Sequence, residues 1–436
     1  MLTIFLISLI ILLLVPYSFI AYVGALTILY LYYLSNLNLF FNSSLSVNID
    51  FFLHDEVSLF IRLLLFFIIF ISYFSSRNLF KSYKVLGFVL LLLIFFCFEV
   101  FNTTHLFSLY FFYEASLIPI LYIIIKWGSY PERSVSAMMI ISYTLLFGVP
   151  MFMVIIILYS TNNTWLLCFY SNSQVSLLVR IFIFLCFAVK LPIYGLHYWL
   201  PIAHVEAPTF GSVILASILL KLGGVGLVRL LPILHLSDIK SVIISYFIIF
   251  TVFSTIVCCF QSDFKRLIAY SSVSHIIVIP FLILSRNILS IQSLILVMLL
   301  HGISSSLIFI RVGLLYNIFG SRQLVLLRGI ALMSPLLSLI LVLTFFYTLS
   351  APPFPSYVAE VYFILSRYLL SPYIVVMYIL FVFLGLVYNL NWLSAILFSS
   401  NTNTYYRSLN ITYAAIIPFL IIMLITLFTI FLFFNI

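Results

Sequence analysis

The chain has 436 residues, 65% of them hydrophobic and only 7% charged, a composition far from that of soluble domains. Its formal net charge is +9. The basic residues fall mostly in short breaks between apolar runs, which excludes nucleic-acid binding and points to membrane topology. No polar block is long enough for a separate soluble domain, so the expected fold class is an all-α polytopic membrane protein.

Apolar runs of about 20 residues, the length that crosses a bilayer, predict fourteen spans. The first, at 2–16, lacks the basic start and small-residue cleavage site of a secretory signal and reads as a membrane helix. Spans follow at 18–41, 57–75, 84–101, 105–125, 135–159, 176–199, 211–231, 239–260, 267–285, 291–317, 326–370, 372–398 and 411–435. The run at 326–370 is too long for one straight crossing, and Pro352, Pro353 and Pro355 predict a discontinuous helix there. Pro192 predicts a similar break after Lys190.

With fourteen spans, loops after odd-numbered helices share a side that collects Arg77, Lys81, Lys84, Lys126, Arg133, Lys265, Arg266, Arg322, Arg328 and Arg407. Arg62, Arg180, Arg229, Lys240, Arg286 and Arg367 fall on the other. The positive-inside rule places the first side in the cytoplasm or matrix and both termini opposite. Lys190, Lys221 and Arg311 remain, each inside a predicted span.

Charges at that depth are costly, about 2.5–3.5 kcal/mol each on insertion scales, and they mark functional candidates. Glu114 sits mid-span, where a membrane lysine would offset its charge. Lys190 precedes the Pro192 break, where exposed backbone can meet buried water. Lys221 lies on one helix face with Ser217, beside Gly223 and Gly224, which permit close helix approach. His275 follows Ser271 and Ser272 at helical spacing, and His301 precedes Ser304 and Ser305, giving two polar stripes on oily helices. Glu360 follows the second proline break. Static ion pairs are the competing reading for the charged residues, and buried structural histidines for His275 and His301, against a protonation path. The two broken segments, at 188–201 and 350–360, match the way repeat-built transporters place their sites at interrupted helices. Arg311 reads as structural.

The five cysteines show no C-x-x-C spacing and read as buried small hydrophobes. His197 and His204 stand seven residues apart, and HVEA is not a zinc motif. No glycine-rich nucleotide signature is present.

Several motifs together resemble one family. VKLPIYGLHYWLPIAHVEAPTFGSVILASILLKLGGVGLVRL at 189–230, YFFYEASLIPILYIIIKWGSYPER at 110–133, QSDFKRLIAYSSVSH at 261–275, HGISSSLIF at 301–309 and APPFPSYVAE at 351–360 are similar to the subunit 4 family of mitochondrial NADH–ubiquinone oxidoreductase, respiratory complex I. The match runs in order from about residue 100 to 400, and residues 1–90 agree mainly in hydropathy. The resemblance implies an antiporter-like fold of fourteen helices with two inverted five-helix repeats and broken helices seven and twelve. On that reading residues 1–83 hold the first three helices, 84–231 the first repeat, 239–398 the second, and 399–436 the last helix.

The resemblance also implies site roles. Glu114 and Lys190 would form the charge pair of the first half-channel, and Lys221 would be the central proton-accepting lysine. His275 and His301 would lie on a hydrated axis, and Glu360 would pass the proton onward. Opening of the Glu114–Lys190 pair would free a positive charge to repel the proton on Lys221. Moving one charge against 100 mV costs about 2.3 kcal/mol, within the effect of breaking one ion pair in a low-dielectric interior. The implied activity is that of a subunit of NADH:ubiquinone reductase (H+-translocating) in the mitochondrial inner membrane, with basic loops to the matrix and both termini in the intermembrane space. No cofactor is expected on this chain; NADH, FMN, iron–sulfur clusters and ubiquinone would be bound by other subunits. Expected partners are neighbouring antiporter-like subunits and lipids such as cardiolipin. A stand-alone cation/proton antiporter is the alternative, and a non-translocating scaffold a third reading.

Overall fold

The computed structural model describes Leu64, Leu65, Ile68 and Ser72, and then residues 84–398 except 129, 168–169, 171–174, 232, 235–239, 286, 334, 353 and 369–371. The spans expected at 2–16, 18–41 and 411–435, all but those four residues of 57–75, and Cys168 lie outside the described residues. So do the outer two of the four expected segments, 1–83 apart from those four residues, and 399–436.

Among the described residues the chain is helical, with isolated β-bridges only at His105–Leu166 and Asp263–Gln323. The helices are α1 (Lys84–Asn102), α2 (Leu106–Ala115), α3 (Leu117–Trp127), α4 (Arg133–Asn162), α5 (Leu177–Lys190), α6 (Trp199–Glu206) and α7 (Thr209–Ile214). A π-helical turn, Leu215–Leu219, joins α7 to α8 (Leu220–Arg229). There follow α9 (Lys240–Cys259), α10 (Phe264–Ile276), α11 (Val278–Ser285), α12 (Ile288–Phe319), α13 (Ile330–Met333), α14 (Pro335–Thr348), α15 (Pro355–Tyr368) and α16 (Pro372–Phe398). Seven helical segments among the described residues are long and apolar enough to cross a membrane.

The predicted spans recur, with interruptions set by proline. The span expected at 105–125 divides after Ala115, the residue whose carbonyl Pro119 cannot satisfy. The span at 267–285 divides after Ile276, the corresponding residue for Pro280. Pro192 ends α5 at Lys190, and the Ala188 carbonyl that it leaves is taken by the Ile193 N–H at 3.3 Å. The chain then runs irregularly to α6. Gly195 adopts φ +92° there, a left-handed conformation that glycine takes without strain. The Trp199 indole N–H donates to the Val189 carbonyl at 3.1 Å and ties the second half-helix to the first. The second break separates α14 from α15 and contains Ser350 at φ +53°.

The helices sort by exposure. In the most apolar stretch of Thr209–Arg229, 94% of the residues are buried, against 33% in that of α4 and 28% in that of α16. The exposed side chains of α4 include Leu145, Leu146, Val149, Phe152 and Met153, a face suited to lipid or to another apolar surface. Thus α7–α8 form the centre, packed against α5 and α12, while α4 and α16 lie at the periphery.

Glycine sets the central spacing. A Cβ on Gly223 would stand 2.9 Å from the Phe187 carbonyl oxygen, and one on Gly226 would stand 2.2 Å from the Phe187 ring. Gly226→Ala is therefore expected to destabilise the bundle by about 1–3 kcal/mol, the usual cost of overpacking. Gly385, where an added Cβ would meet no atom of the described residues within 4 Å, serves as the comparison. Thermal unfolding in detergent should show a lowered midpoint for G226A and little change for G385A.

Candidate functional site

Lys190 ends α5, is 3% exposed, and donates from Nζ to the Tyr113 carbonyl at 2.5 Å. The same ammonium lies 3.2 Å from the centroid of the Tyr113 ring, a cation–π contact. The Ser116 hydroxyl also donates to that carbonyl. Glu114, the next residue along α2, is directed elsewhere. Its carboxylate lies against Gly148 of α4, where an added Cβ would meet Glu114 Oε1 at 3.3 Å. Tyr110, one turn earlier, donates to the Gly148 carbonyl at 2.9 Å.

The ion pair expected between Glu114 and Lys190 is not formed. Among the described residues the direct ion pairs join Asp263 to Arg266 and to Arg322, at 3.6 and 3.8 Å. Glu114 and Lys190 nevertheless remain within Coulombic reach of one another. The backbone explains the difference: the Tyr113 carbonyl, next to the α2–α3 interruption, offers Lys190 an oxygen without any movement of Glu114.

Lys221 is fully buried in the first turn of α8. The π-helical turn before it directs the Leu220 N–H five residues back, to the Leu215 carbonyl. The neighbouring Ala216 carbonyl accepts from Lys221 Nζ at 2.6 Å. Lys221 Nζ also lies 2.9 Å from His301 Nδ1 on α12. Ser217, placed beside Lys221 by sequence spacing, instead donates to the Val213 carbonyl at 2.5 Å.

From this pair the polar groups continue into the second half of the chain. The His275 and His301 rings lie 6.0 Å apart. A cavity of about 70 Å³ opens beside them, lined among others by Ser271, Ser304, Tyr347, Ser350, Tyr388 and Glu360. A water needs roughly 10–15 Å³ measured this way, so the space holds several. A further cavity of about 20 Å³ touches His275, Thr348, Glu360, Tyr388 and Asn389. Glu360 shares a hydrogen bond with Ser350, across the second break. The serine stripes beside the histidines donate to their own helices, Ser271 to the Ile268 carbonyl and Ser304 to the His301 carbonyl. Their lone pairs are left to accept from water.

The structure thus brings together Lys221, His301, His275 and Glu360 along one polar line. It places Glu114 and Lys190 in a neighbouring cluster on α2, α4 and α5, on the other side of the close α5–α8 contact.

Two residues assigned to loops by sequence are buried. Arg229, 2% exposed, donates to the carbonyls of Val100, Phe101 and Thr103 at the end of α1. Lys265, 7% exposed in the first turn of α10, donates to the Val205 and Ala207 carbonyls at 2.9 and 2.6 Å. The hydropathy minimum around 260–266 masked Lys265. A usable signal was present: a cation is unfavourable in a helix's first turn, so a lysine there is expected to seek the negative end of another helix. Arg311 is buried at 2% exposure within α12. The described cysteines are free: Cys97, Cys186 and Cys258 buried, Cys259 exposed. Among the described residues no group of histidine, cysteine, aspartate and glutamate is arranged to hold a metal ion.

Residues 103–386 match the family model described as NADH:quinone oxidoreductase/Mrp antiporter, transmembrane. The chain belongs to that family. It is 36% identical to NADH-ubiquinone oxidoreductase chain 4 of Ceratitis capitata, over 72% of each chain. It is 34% identical to the chain 4 protein of Lumbricus terrestris, over 66% of this chain and 65% of that one, so it spans just under two thirds of the earthworm protein. Its fold is similar to a chain of respiratory complex I from Thermus thermophilus with bound NADH, with a TM-score of 0.78 at 22% identity, covering 86% of this chain and 80% of that one. The family matched includes the segments that carry Glu114, Lys190, Lys221, His275, His301 and Glu360.

Ordered water is expected in the cavity between His301 and Glu360. A cryo-EM map of the assembled protein good enough to show buried solvent should contain it, and a dry, collapsed cavity would contradict the hydrated axis.

Proposed function

We propose that this chain is a proton-translocating membrane subunit of respiratory complex I, carrying protons while NADH:ubiquinone electron transfer runs elsewhere in the complex. The observation that carries the reading is the contact of a fully buried lysine with a histidine that opens onto a polar cavity ending at Glu360. Identity to chain 4 relatives over most of the chain supports the same assignment.

Lys221 is the proton carrier. In its charged form it gives two hydrogen bonds, to Ala216 and His301, and His301 is the acceptor placed to take its proton. From His301 the proton moves through water past His275 to Glu360, and from Glu360 out of the subunit. Lys190 modulates this transfer. Held by the Tyr113 carbonyl and without a direct ion pair to Glu114, it carries a charge only partly compensated, the arrangement that repels a proton from Lys221. Rotation of Glu114 away from Gly148 and onto Lys190 would quench that charge and let Lys221 reload. One such transfer against 100 mV requires about 2.3 kcal/mol. The chain lies in the mitochondrial inner membrane on this reading, with the loops bearing Lys126, Arg133, Arg266 and Arg322 toward the matrix and both termini in the intermembrane space. Its neighbours are other antiporter-like subunits, with lipids such as cardiolipin between them, and redox cofactors stay on other subunits.

A stand-alone cation/proton antiporter is the second reading, because the matched family model spans both quinone oxidoreductases and Mrp antiporters. Lys221→Ala and Glu360→Gln in the assembled complex are expected to cut proton pumping coupled to quinone reduction at least tenfold. Undiminished pumping with either variant would sink the proposal. Ion exchange by the isolated chain in liposomes, without redox subunits, would favour the antiporter.

A further inference from the structure

Four segments meet at one end of the bundle: the α3–α4 loop, the end of α6, the start of α10 and the loop after α12. The Arg322 guanidinium lies 4.2 Å over the Tyr130 ring and pairs with Asp263, and Tyr130 packs on Tyr316. Gly128 approaches the Glu206 carbonyl so closely that a Cβ on it would stand 3.1 Å away. Just inside this end lie two acid–base groups that the axis described above does not use.

His204 is fully buried on α6, with its ring stacked on Phe309 at 4.8 Å, and neither ring nitrogen has a hydrogen-bond partner among the described residues. Glu206 is 2% exposed, and its Oε2 is likewise buried and without a partner among the described residues. Three orphaned polar atoms within one turn are the mark of a site completed by water. Lys265 stands between them electrostatically. It is within Coulombic reach of both His204 and Glu206, and His204 is in turn within reach of Lys221 and His301.

We propose that Glu206, Lys265 and His204 form a proton-entry branch that loads the Lys221–His301 pair from this end of the bundle; the inference rests on the proton-carrying reading above. The hydrogen-bond count at Lys265 makes the step chemically sound. An ammonium has three N–H donors, and two are spent on Val205 and Ala207. The third proton passes through water to one nitrogen of neutral His204, leaving a neutral amine on Lys265. That amine keeps two N–H donors for the same two carbonyls, so α6 stays in place, and its lone pair takes a new proton from Glu206. Glu206 recovers its proton from solvent water at the bundle end. Protonated His204 releases the proton on its other nitrogen toward Lys221, and a flip of the imidazole ring restores the starting tautomer, so each residue returns to its starting state for every proton passed. Charged and titratable groups face this branch from every side: Lys221 and His301 toward His204, Arg322 toward Lys265, and Glu132, Arg266 and Arg322 toward Glu206.

The purely structural account makes Lys265 a clamp that neutralises the carbonyl end of α6. Lys265→Arg separates the two, because arginine can hold both carbonyls but does not deprotonate. In the assembled complex reconstituted in liposomes, K265R and His204→Gln are expected to assemble and to lose at least tenfold in protons pumped per NADH oxidised. Glu206→Gln, less demanding on the fold, is expected to slow pumping and to flatten its dependence on the pH of the entry side. Wild-type pumping by K265R and H204Q, or an unchanged pH profile for E206Q, would overturn the branch. Lys221→Ala measured alongside keeps the two proposals apart. If it abolishes pumping while K265R does not, only the entry branch falls; if it too pumps normally, the proton-carrying reading itself fails.

Discussion

An ammonium or guanidinium taken out of water must find oxygen, and in this bundle it finds backbone carbonyls. Lys190 binds the carbonyl of Tyr113, Lys221 that of Ala216, Lys265 those of Val205 and Ala207, and Arg229 those at the end of α1. None of the three lysines is joined to a carboxylate by a direct ion pair among the described residues. Every acceptor lies at or next to an irregularity in a helix, where carbonyls are released from the regular ladder. Charge placement and helix interruption are therefore one design problem. Moving a break by a residue would strand a cation.

The choice of carbonyl over carboxylate has a chemical meaning. A buried ion pair resists loss of either charge, because the partner is left uncompensated. A carbonyl dipole holds an ammonium and also accepts from a neutral amine, so the site tolerates both protonation states. Lys221 adds a contact with a histidine, which on the proposed function is the place for the proton to go. Lys190 has no such contact and lies near Glu114, which on the same proposal suits it to influence and not to carry. The two lysines share chemistry and differ in surroundings.

Much of this was legible in the sequence. The spans from 84 to 398 follow from apolar length, and both discontinuous helices follow from Pro192 and from the prolines at 352–355. The six ionisable candidates stood out because charge in an oily run is rare. Contact geometry was less visible. The π-helical turn before Lys221 has no compositional mark, yet it decides that the lysine meets Ala216 and His301 and not Ser217. The open Glu114–Lys190 arrangement depends on which carbonyl a kink exposes. Lys265 and Arg229 were read as loop residues because a hydropathy window averages a cation with its polar neighbours, and nothing local reveals that the next segment packs over it.

The close approach of α5 and α8 at Gly223 and Gly226 has one further consequence. On the α8 side the seam carries no side chain, and the Phe187 ring and the Leu191 side chain rest directly on glycine. One aromatic ring therefore keys the register of the two helices that carry Lys190 and Lys221. A smaller residue at 187 would leave a void between glycine and glycine-lined backbone, and the two helices would lose the stop that fixes how far each has slid along the other.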